Sequence, residues 1–291
     1  MTTIAPPSAP PPLTPGTRTT LRALLVVAAS VLVVGTVATL GVTAWGINSA
    51  RVRTDGRDLP GNMRSLAIDV SNGSDVSVHV TSDPNVTTPR AVLRSVGSTQ
   101  GVQQGLDVTT DVGGTQIRVT PGSRHVVDFD FGASDLTVTV PPKLASALLV
   151  TTQQKDGTLT VDADLNSLVA RSADGDGDVV LNGSVRVVDV RTRDGDVASR
   201  KPLRVTESFV AESADGDIAV AFVDPAPRKI TAATRSGDVA ITLPQTGPYL
   251  VRTRSGGDTS VVVPETTDPA LSASEVTVRS TDGDIAIDTR R

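Results

Sequence analysis

From residue 65 to the C-terminus, apolar and polar residues alternate in short runs. Successive side chains of a strand point to opposite faces, so each alternating run predicts a strand with one apolar face. Residues 66–70 and 76–80 both alternate, and Asn72-Gly73 lies between them, which predicts a β-hairpin. Further alternating runs follow as far as Pro141-Pro142, and the pattern therefore favours an all-β fold.

The second half of this region contains an internal repeat of about 20 residues. Each repeat has a turn glycine, a hydroxyl residue three positions before it, and apolar residues five and seven positions before it. The turn glycines are Gly175, Gly195, Gly216, Gly237, Gly256 and Gly283, and the hydroxyl residues are Ser172, Thr192, Ser213, Thr234, Thr253 and Ser280. Two repeats depart from this register. The first contains two extra residues, in Gly175-Asp176-Gly177-Asp178, and the second contains one extra residue, in Gly256-Gly257. Either insertion could form a β-bulge.

Each repeat predicts a strand, a tight turn, a second strand and a second turn. One such unit cannot bury its apolar face, whereas a stack of them forms a continuous core. The chain is therefore expected to form a β-solenoid, a β-helix-like stack of repeats, over residues 65–291, with the repeats clearest in 165–291. The last strand, DIAIDTRR, is expected to lie at the exposed edge of this stack, where Arg290-Arg291 would either protect it or dock a partner strand.

Aspartates directly follow most of the turn glycines. These residues are Asp176, Asp196, Asp217, Asp238 and Asp284. Stacking would place their like charges about 5 Å apart, so a ladder of bound calcium ions is one hypothesis. The other is a turn role, in which glycine supplies a positive φ and Asp or Ser bonds the turn backbone. Arg171, Arg191, Arg252 and Arg279 could offset the charge of this row. The turn role is favoured, because Val179 and Val185 stand where an EF-hand loop needs Gly and Glu.

The first 64 residues have a different composition. Residues 1–20 contain six prolines among Thr, Ser and Ala, which predicts a disordered tail with polyproline II character. Residues 23–47 contain no charged side chain, and at about 1.5 Å per residue they exceed a hydrocarbon core of about 30 Å. A single transmembrane helix is therefore expected over 21–47. A cleaved signal peptide is the alternative, although its apolar region would be shorter, about 7–15 residues. Residues 48–64 lack an apolar period and predict a juxtamembrane linker.

Composition excludes several kinds of chemistry. The chain has no cysteine, which excludes disulfides, thiolate catalysis and cysteine-based metal sites. Its two histidines, His79 and His125, stand apart, and no GxSxG, HExxH or Walker motif occurs. Basic residues do not cluster with aromatic residues, so nucleic-acid binding is not expected. The sequence therefore indicates no catalytic, cofactor-binding or metal-binding residue. An enzyme, such as one that acts on polysaccharides, is the least favoured class.

The repeated (S/T)x(S/D)GD(V/I) units resemble the bacterial "putative adhesin" family of β-strand repeats of the toast-rack type. The opening SLAIDVSNGSDVSVHV, the strand end LTVTVPP and the preceding apolar segment are also typical of it. The resemblance covers about residues 64–291. It implies a single-pass membrane protein with an extracytoplasmic β-solenoid-like domain, and it offers no catalytic residues. The count of flanking Lys and Arg leans the other way, towards a cytoplasmic domain, because Arg18 and Arg22 precede the uncharged segment 23–47 whereas four arginines follow it.

Two functional hypotheses follow. In the first, a non-enzymatic, membrane-anchored extracytoplasmic module binds a protein, a glycan or another cell-envelope component. In the second, an envelope-stress regulatory protein acts through its transmembrane helix or its proline-rich cytoplasmic tail. The expected partners are the membrane and an envelope ligand, and the sequence leaves the oligomeric state open.

Overall fold

The structure is a computed structural model, which describes residues 50–72, 75–98, 104–120, 134–172 and 175–290. The predicted proline-rich tail and transmembrane helix, and His125, lie outside these residues. Within the described ranges, no helix is long and apolar enough to cross a membrane. The compact unit spans Arg51–Arg291.

The described residues form 21 strands and one short helix, α1 (Pro142–Ala145), between β7 and β8. In chain order, the strands are β1 (Ala50–Asp58), β2 (Ser65–Asp69), β3 (Val76–Ser82), β4 (Arg90–Ser98), β5 (Gly105–Asp111), β6 (Gly114–Thr120), β7 (Ser134–Val140), β8 (Leu149–Gln154), β9 (Gly157–Asp162), β10 (Leu165–Ser172), β11 (Gly177–Asn182), β12 (Ser184–Arg191), β13 (Val197–Ser199), β14 (Arg204–Ser213), β15 (Ile218–Ala221), β16 (Lys229–Thr234), β17 (Val239–Leu243), β18 (Tyr249–Arg254), β19 (Thr259–Val262), β20 (Ser274–Ser280) and β21 (Ile285–Thr289).

These strands make two sheets, and each repeat contributes one strand to each sheet. Sheet A has the order β1-β4-β7-β3-β9-β11-β13-β15-β17-β21-β19, and sheet B has the order β18-β20-β16-β14-β12-β10-β8-β2-β6-β5. We call a sheet B strand, together with the sheet A strand that follows it in the chain, a coil. Neighbouring coils pair in parallel from β2 to β21, whereas β4 and β5 pair antiparallel with β7 and β6. The all-β prediction and the stacking of repeats are confirmed.

The core lies between the inner faces of the two sheets. In five of the six repeats, the residues seven positions before the turn glycines lie in register on the inner face of sheet B, as in the run Val188, Phe209, Ile230 and Val276, whereas Tyr249 pairs with Ser274. Each of these four is at most 1% exposed. Burial of such a side chain stabilises the fold by about 1.5–3 kcal/mol, which explains why the repeat keeps this position apolar.

The hairpin predicted at Asn72-Gly73 is wrong. β2 pairs with β6 and β8 in sheet B, whereas β3 pairs with β7 and β9 in sheet A. Two strands that face each other across a core have the same alternating pattern as two strands paired in a hairpin. The pattern alone therefore does not distinguish the two arrangements.

The prediction of a linker over residues 48–64 also needs correction. Residues Ala50–Asp58 form β1 beside β4 at the edge of sheet A, and Leu59 and Met63 are buried in the core. β1 has the polar sequence ARVRTDGRD. An edge strand with so few apolar residues lacks the alternation on which the prediction relied.

The coils do not stack in chain order at either end. The coil β20–β21 lies between β16–β17 and β18–β19, and the coil β2–β3 lies between β6–β7 and β8–β9. β21 pairs with β17 on one side and with β19 on the other. The expectation that the last strand forms an exposed edge, protected by Arg290-Arg291, is therefore wrong.

Candidate functional site: the row of Gly-Asp turns

The turn glycines stack directly upon one another. A Cβ atom added at Gly216 would collide with the carbonyl oxygen of Gly195, and one added at Gly237 would collide with that of Gly216. These glycines do not have a positive φ; the described glycines that do are Gly113, Gly157, Gly175 and Gly183. The repeat therefore needs glycine for close approach between coils, and not for an unusual φ as the sequence suggested.

The hydroxyl column of the repeat anchors the turns. The buried Ser213 Oγ accepts a hydrogen bond from the N–H of Gly216 at 2.9 Å and donates to the carbonyl oxygen of Gly195 at 3.1 Å. Thr234 donates to the carbonyl oxygen of Gly216 at 3.0 Å. These two hydroxyls thus connect their own coils to the coil before them, whereas Thr192 donates to the carbonyl oxygen of Gly195 in its own turn at 2.8 Å. The bonds satisfy backbone groups that would be costly to bury unpaired.

The aspartates form a continuous row, in which each carboxylate accepts a hydrogen bond from the backbone N–H of the next aspartate. The N–H of Asp238 donates to Oδ1 of Asp217 at 2.8 Å, and the N–H of Asp284 donates to Oδ1 of Asp238 at 2.8 Å. The same bond links Asp258 to Asp284 at 2.8 Å. These contacts favour the turn role. In the part of the chain that is described, no group of three or more His, Asp or Glu residues is arranged to hold a metal ion.

The two irregular repeats have a different register from the one that the sequence suggested. Val179 pairs with Val197, so Gly177 and Asp178 occupy the positions of Gly195 and Asp196, and Asp176 lies outside the row. The N–H of Asp196 accordingly donates to Oδ1 of Asp178 at 3.0 Å. The Gly-Asp pair directly before the second alternating run is the signal that would have identified the correct residues.

The other irregular repeat is displaced as well. Thr253 pairs with Val278, and the hydroxyl role passes to Ser255, which donates to the carbonyl oxygen of Gly283 at 2.6 Å. The N–H of Gly257 in turn donates to Ser255 Oγ at 3.0 Å, so Gly257 replaces Gly256 as the turn glycine.

The arginines before the turns pair with carboxylates of the strands and not with the aspartate row. On the outer face of sheet B, Nη2 of Arg171 lies 2.7 Å from Oδ2 of Asp189. Nε of Arg191 lies 3.0 Å from Oε2 of Glu212. Arg252 pairs with Glu275. The suggestion that these side chains offset the charge of the aspartate row is therefore wrong for Arg171, Arg191 and Arg252.

Among the described residues, two carboxylates and one phenol have shifted pKa values. Burial alone would raise the pKa of Asp69, but hydrogen bonds from Ser71 and Arg118 outweigh it, so that this pKa lies below its ordinary value. A hydrogen bond from Ser236 and the nearby Arg235 guanidinium lower the pKa of Asp215. Burial raises the pKa of the Tyr249 hydroxyl. These shifts have structural causes, and the three groups lie on separate coils.

His79 lies on the outer face of sheet A, in register between Thr137 and Thr160. Farther along the same face, the row Ala198, Ala219, Ala240 and Ala286 lies next to the aspartate row. This face offers hydroxyl, imidazole and carboxylate groups for hydrogen bonds to a ligand.

One family model matches most of this chain, and several solved structures are similar to it. The family model described as Toastrack DUF4097 matches residues 63–291. One similar solved structure is a "putative adhesin" from Bacteroides fragilis, which is 14% identical over 82% of this chain and 97% of that chain, with a TM-score of 0.49. A "putative lipid binding protein" from Parabacteroides distasonis is 11% identical over 82% of this chain and 97% of that chain, with a TM-score of 0.37. No curated protein matches the sequence.

Proposed function

Because the chain belongs to the Toastrack DUF4097 family, we propose that it is a non-enzymatic, single-pass membrane protein whose extracytoplasmic β-repeat domain binds a protein, a glycan or another cell-envelope component. The uncharged residues 23–47 support the membrane anchor, since this apolar stretch is long enough to span a bilayer. The β-repeat domain begins directly after it. The domain would therefore be held close to the membrane surface.

One observation supports the binding role: the repeated polar residues hold the stack together, which leaves its outer surface as the part that can bind other molecules. The hydroxyl and aspartate columns are the most regular chemical groups of the chain, and both bond to the backbone of neighbouring turns. Their repetition is thus explained by stacking. What the stack then offers to other molecules is its surface: two long sheet faces and the strands at its ends. Extended surfaces of this kind are typical of repeat proteins that bind partners.

The first experiment tests location. External protease is added to intact cells that carry the full chain with a tag after Arg291, alongside a cytoplasmic control protein. We expect loss of the tag while the control stays intact. Protection of the tag would place the domain in the cytoplasm, as the count of flanking arginines suggests, and the proposal would be abandoned.

A further inference from the structure

The two ends of the stack differ in how they close the core. At the β5 end, the antiparallel strands β4 and β5 cover the core, where Leu93 is 1% exposed and Leu106 is 5% exposed. At the other end, Val251 and Val261 of the last coil and Val263 directly after it are only partly buried, as is Val108 of β5, whereas Tyr249 at the start of β18 is fully buried. Beyond Tyr249, the core side of β18–β19 is therefore only partly covered, although capping of both ends is usual for stacked repeats.

The backbone of this last coil also has an unpaired side. β18 and β19 are the end strands of their sheets, paired with β20 and β21. The loop over residues 263–273 covers only the start of β18, where Tyr249 exchanges hydrogen bonds with Pro264 and Thr266 at 2.8 and 2.9 Å. Val262 and Leu271 are each 66% exposed nearby. An open strand edge beside apolar side chains is a template for an added strand.

The charged side chains at the β18–β19 end of the stack indicate which kind of added strand would fit there. Arg252 and Arg254 alternate along β18 and are exposed, and Arg254 is in register with Arg279 of β20. Arg252 pairs with Glu275, whereas Arg254 and Arg279 make no ion pair within the described residues. Two like charges on neighbouring strands repel each other unless an anionic group lies between or beside them. Carboxylates on an added strand would supply that group.

We propose that the edge of β18–β19 binds an extended, acidic segment of a partner protein, which adds a strand to the end of the stack. The proposal rests on the binding role proposed above. Acidic side chains of the segment meet Arg254 and Arg279 on the outer face of sheet B, and its alternate apolar side chains cover Val251. A second copy of the chain fits less well, because two-fold pairing of β18 with itself brings the arginines of both strands together.

The test uses the purified full chain in detergent and three labelled peptides of about ten residues. One alternates Glu with Val, one alternates Lys with Val, and one is the Glu peptide with a central proline. We expect the Glu peptide to bind by fluorescence anisotropy, about tenfold or more tightly than the other two. The double change Arg254→Glu and Arg279→Glu should weaken binding of the Glu peptide by about tenfold or more. The control pair Arg186→Glu and Arg204→Glu, an equal charge change on exposed positions in the middle of sheet B, should leave it within about twofold.

Three outcomes would overturn the proposal: failure of the Glu peptide to bind, equal binding of the Glu and Lys peptides, or binding that the double change does not alter. If the free chain self-associates, and the double change abolishes or strengthens that self-association, the occupant of the edge is a second copy of the chain. This result would also overturn the proposal. The protease experiment reports location alone. A chain that is extracytoplasmic but does not bind the Glu peptide therefore overturns the edge proposal and leaves the proposed location intact.

Discussion

The carboxylate of Asp196 accepts a hydrogen bond from the backbone N–H of Asp217, one repeat later in the chain, at 2.8 Å. This bond crosses from one coil to the next at the point where the chain turns from sheet B into sheet A. Its acceptor is a side-chain oxygen and its donor is the backbone, and an uncharged amide oxygen in the same position can also accept such a bond, although a carboxylate accepts a stronger one.

Replacement of Asp217 separates the turn role from the cation hypothesis. Asp217→Ala removes the acceptor for the N–H of Asp238, and we expect it to lower the free energy of unfolding by about 1 kcal/mol. Asp217→Asn keeps an oxygen acceptor and removes a charge from the row, so it should have little effect or stabilise slightly. Urea unfolding, with and without added calcium, measures both changes. Equal damage from Asn and Ala, together with calcium-dependent stability of the parent chain, would instead favour the cation ladder.

Ser213 should matter far more than a serine on the outer face of the same strand. Its buried hydroxyl makes hydrogen bonds to the backbone of Gly195 and Gly216, and Ser213→Ala leaves both groups without this partner. We expect a loss of about 1–3 kcal/mol in the free energy of unfolding. Ser208→Ala on the solvent side of β14 is the matched control, for which we expect about 0.5 kcal/mol or less. Similar losses for the two variants would contradict an anchoring role.

Deletion of residues 285–291 should disturb more than the C-terminus. It removes β21, and with it the strand that connects β19 to sheet A, as well as the buried side chains of Ile285 and Ile287. We therefore expect the amides of β19 to lose protection in hydrogen exchange, together with those of β17 that face β21. If β21 were an exposed edge, β19 would keep its protection.

A single point variant tests the same arrangement without truncation. Ile287→Ala creates a cavity at a 1% exposed position and should lower the free energy of unfolding by about 2–5 kcal/mol. Ala286→Ser on the outer face should change that free energy little.

Asp69 should contribute stability at neutral pH that is lost in acid. Its folded-state pKa is lower than its ordinary value of 3.8, because the hydrogen bonds from Ser71 and Arg118 outweigh the effect of burial. A lowered folded pKa gives stability that is present above the unfolded pKa and is lost as the pH falls through the folded one. Asp69→Asn should therefore be less stable than the parent chain at pH 7, and the difference should shrink below about pH 4. Urea unfolding at several pH values measures it. A difference that is independent of pH would show that the charge of Asp69 plays no part.

The sequence predicted the repeat well because the period is local. Within each repeat, the apolar residues, the hydroxyl residue and the Gly-Asp pair lie within a few residues of one another. The stacking of Val188 on Phe209 follows from the length of the repeat alone. The position of β21 between β17 and β19 depends on contacts between distant segments, so no local pattern encodes it. The shift from Asp176 to Asp178 is different, because the sequence does encode it: of the two successive Gly-Asp pairs, only Gly177-Asp178 directly precedes Val179, which pairs with Val197. The tail and transmembrane helix remain predictions.

The out-of-order stacking at the C-terminal end has a mechanical consequence. The chain leaves β17, forms β18–β19 one position farther out, and returns through residues 263–273 to fill the gap with β20–β21. In a stack built strictly in order, the outermost coil would have one covalent link to the coil beneath it. Here the outermost coil is linked covalently at both of its ends to the two coils beneath it. A pulling force on that coil is therefore shared between two peptide connections and the hydrogen bonds of both sheets, so the end of the stack resists being peeled away.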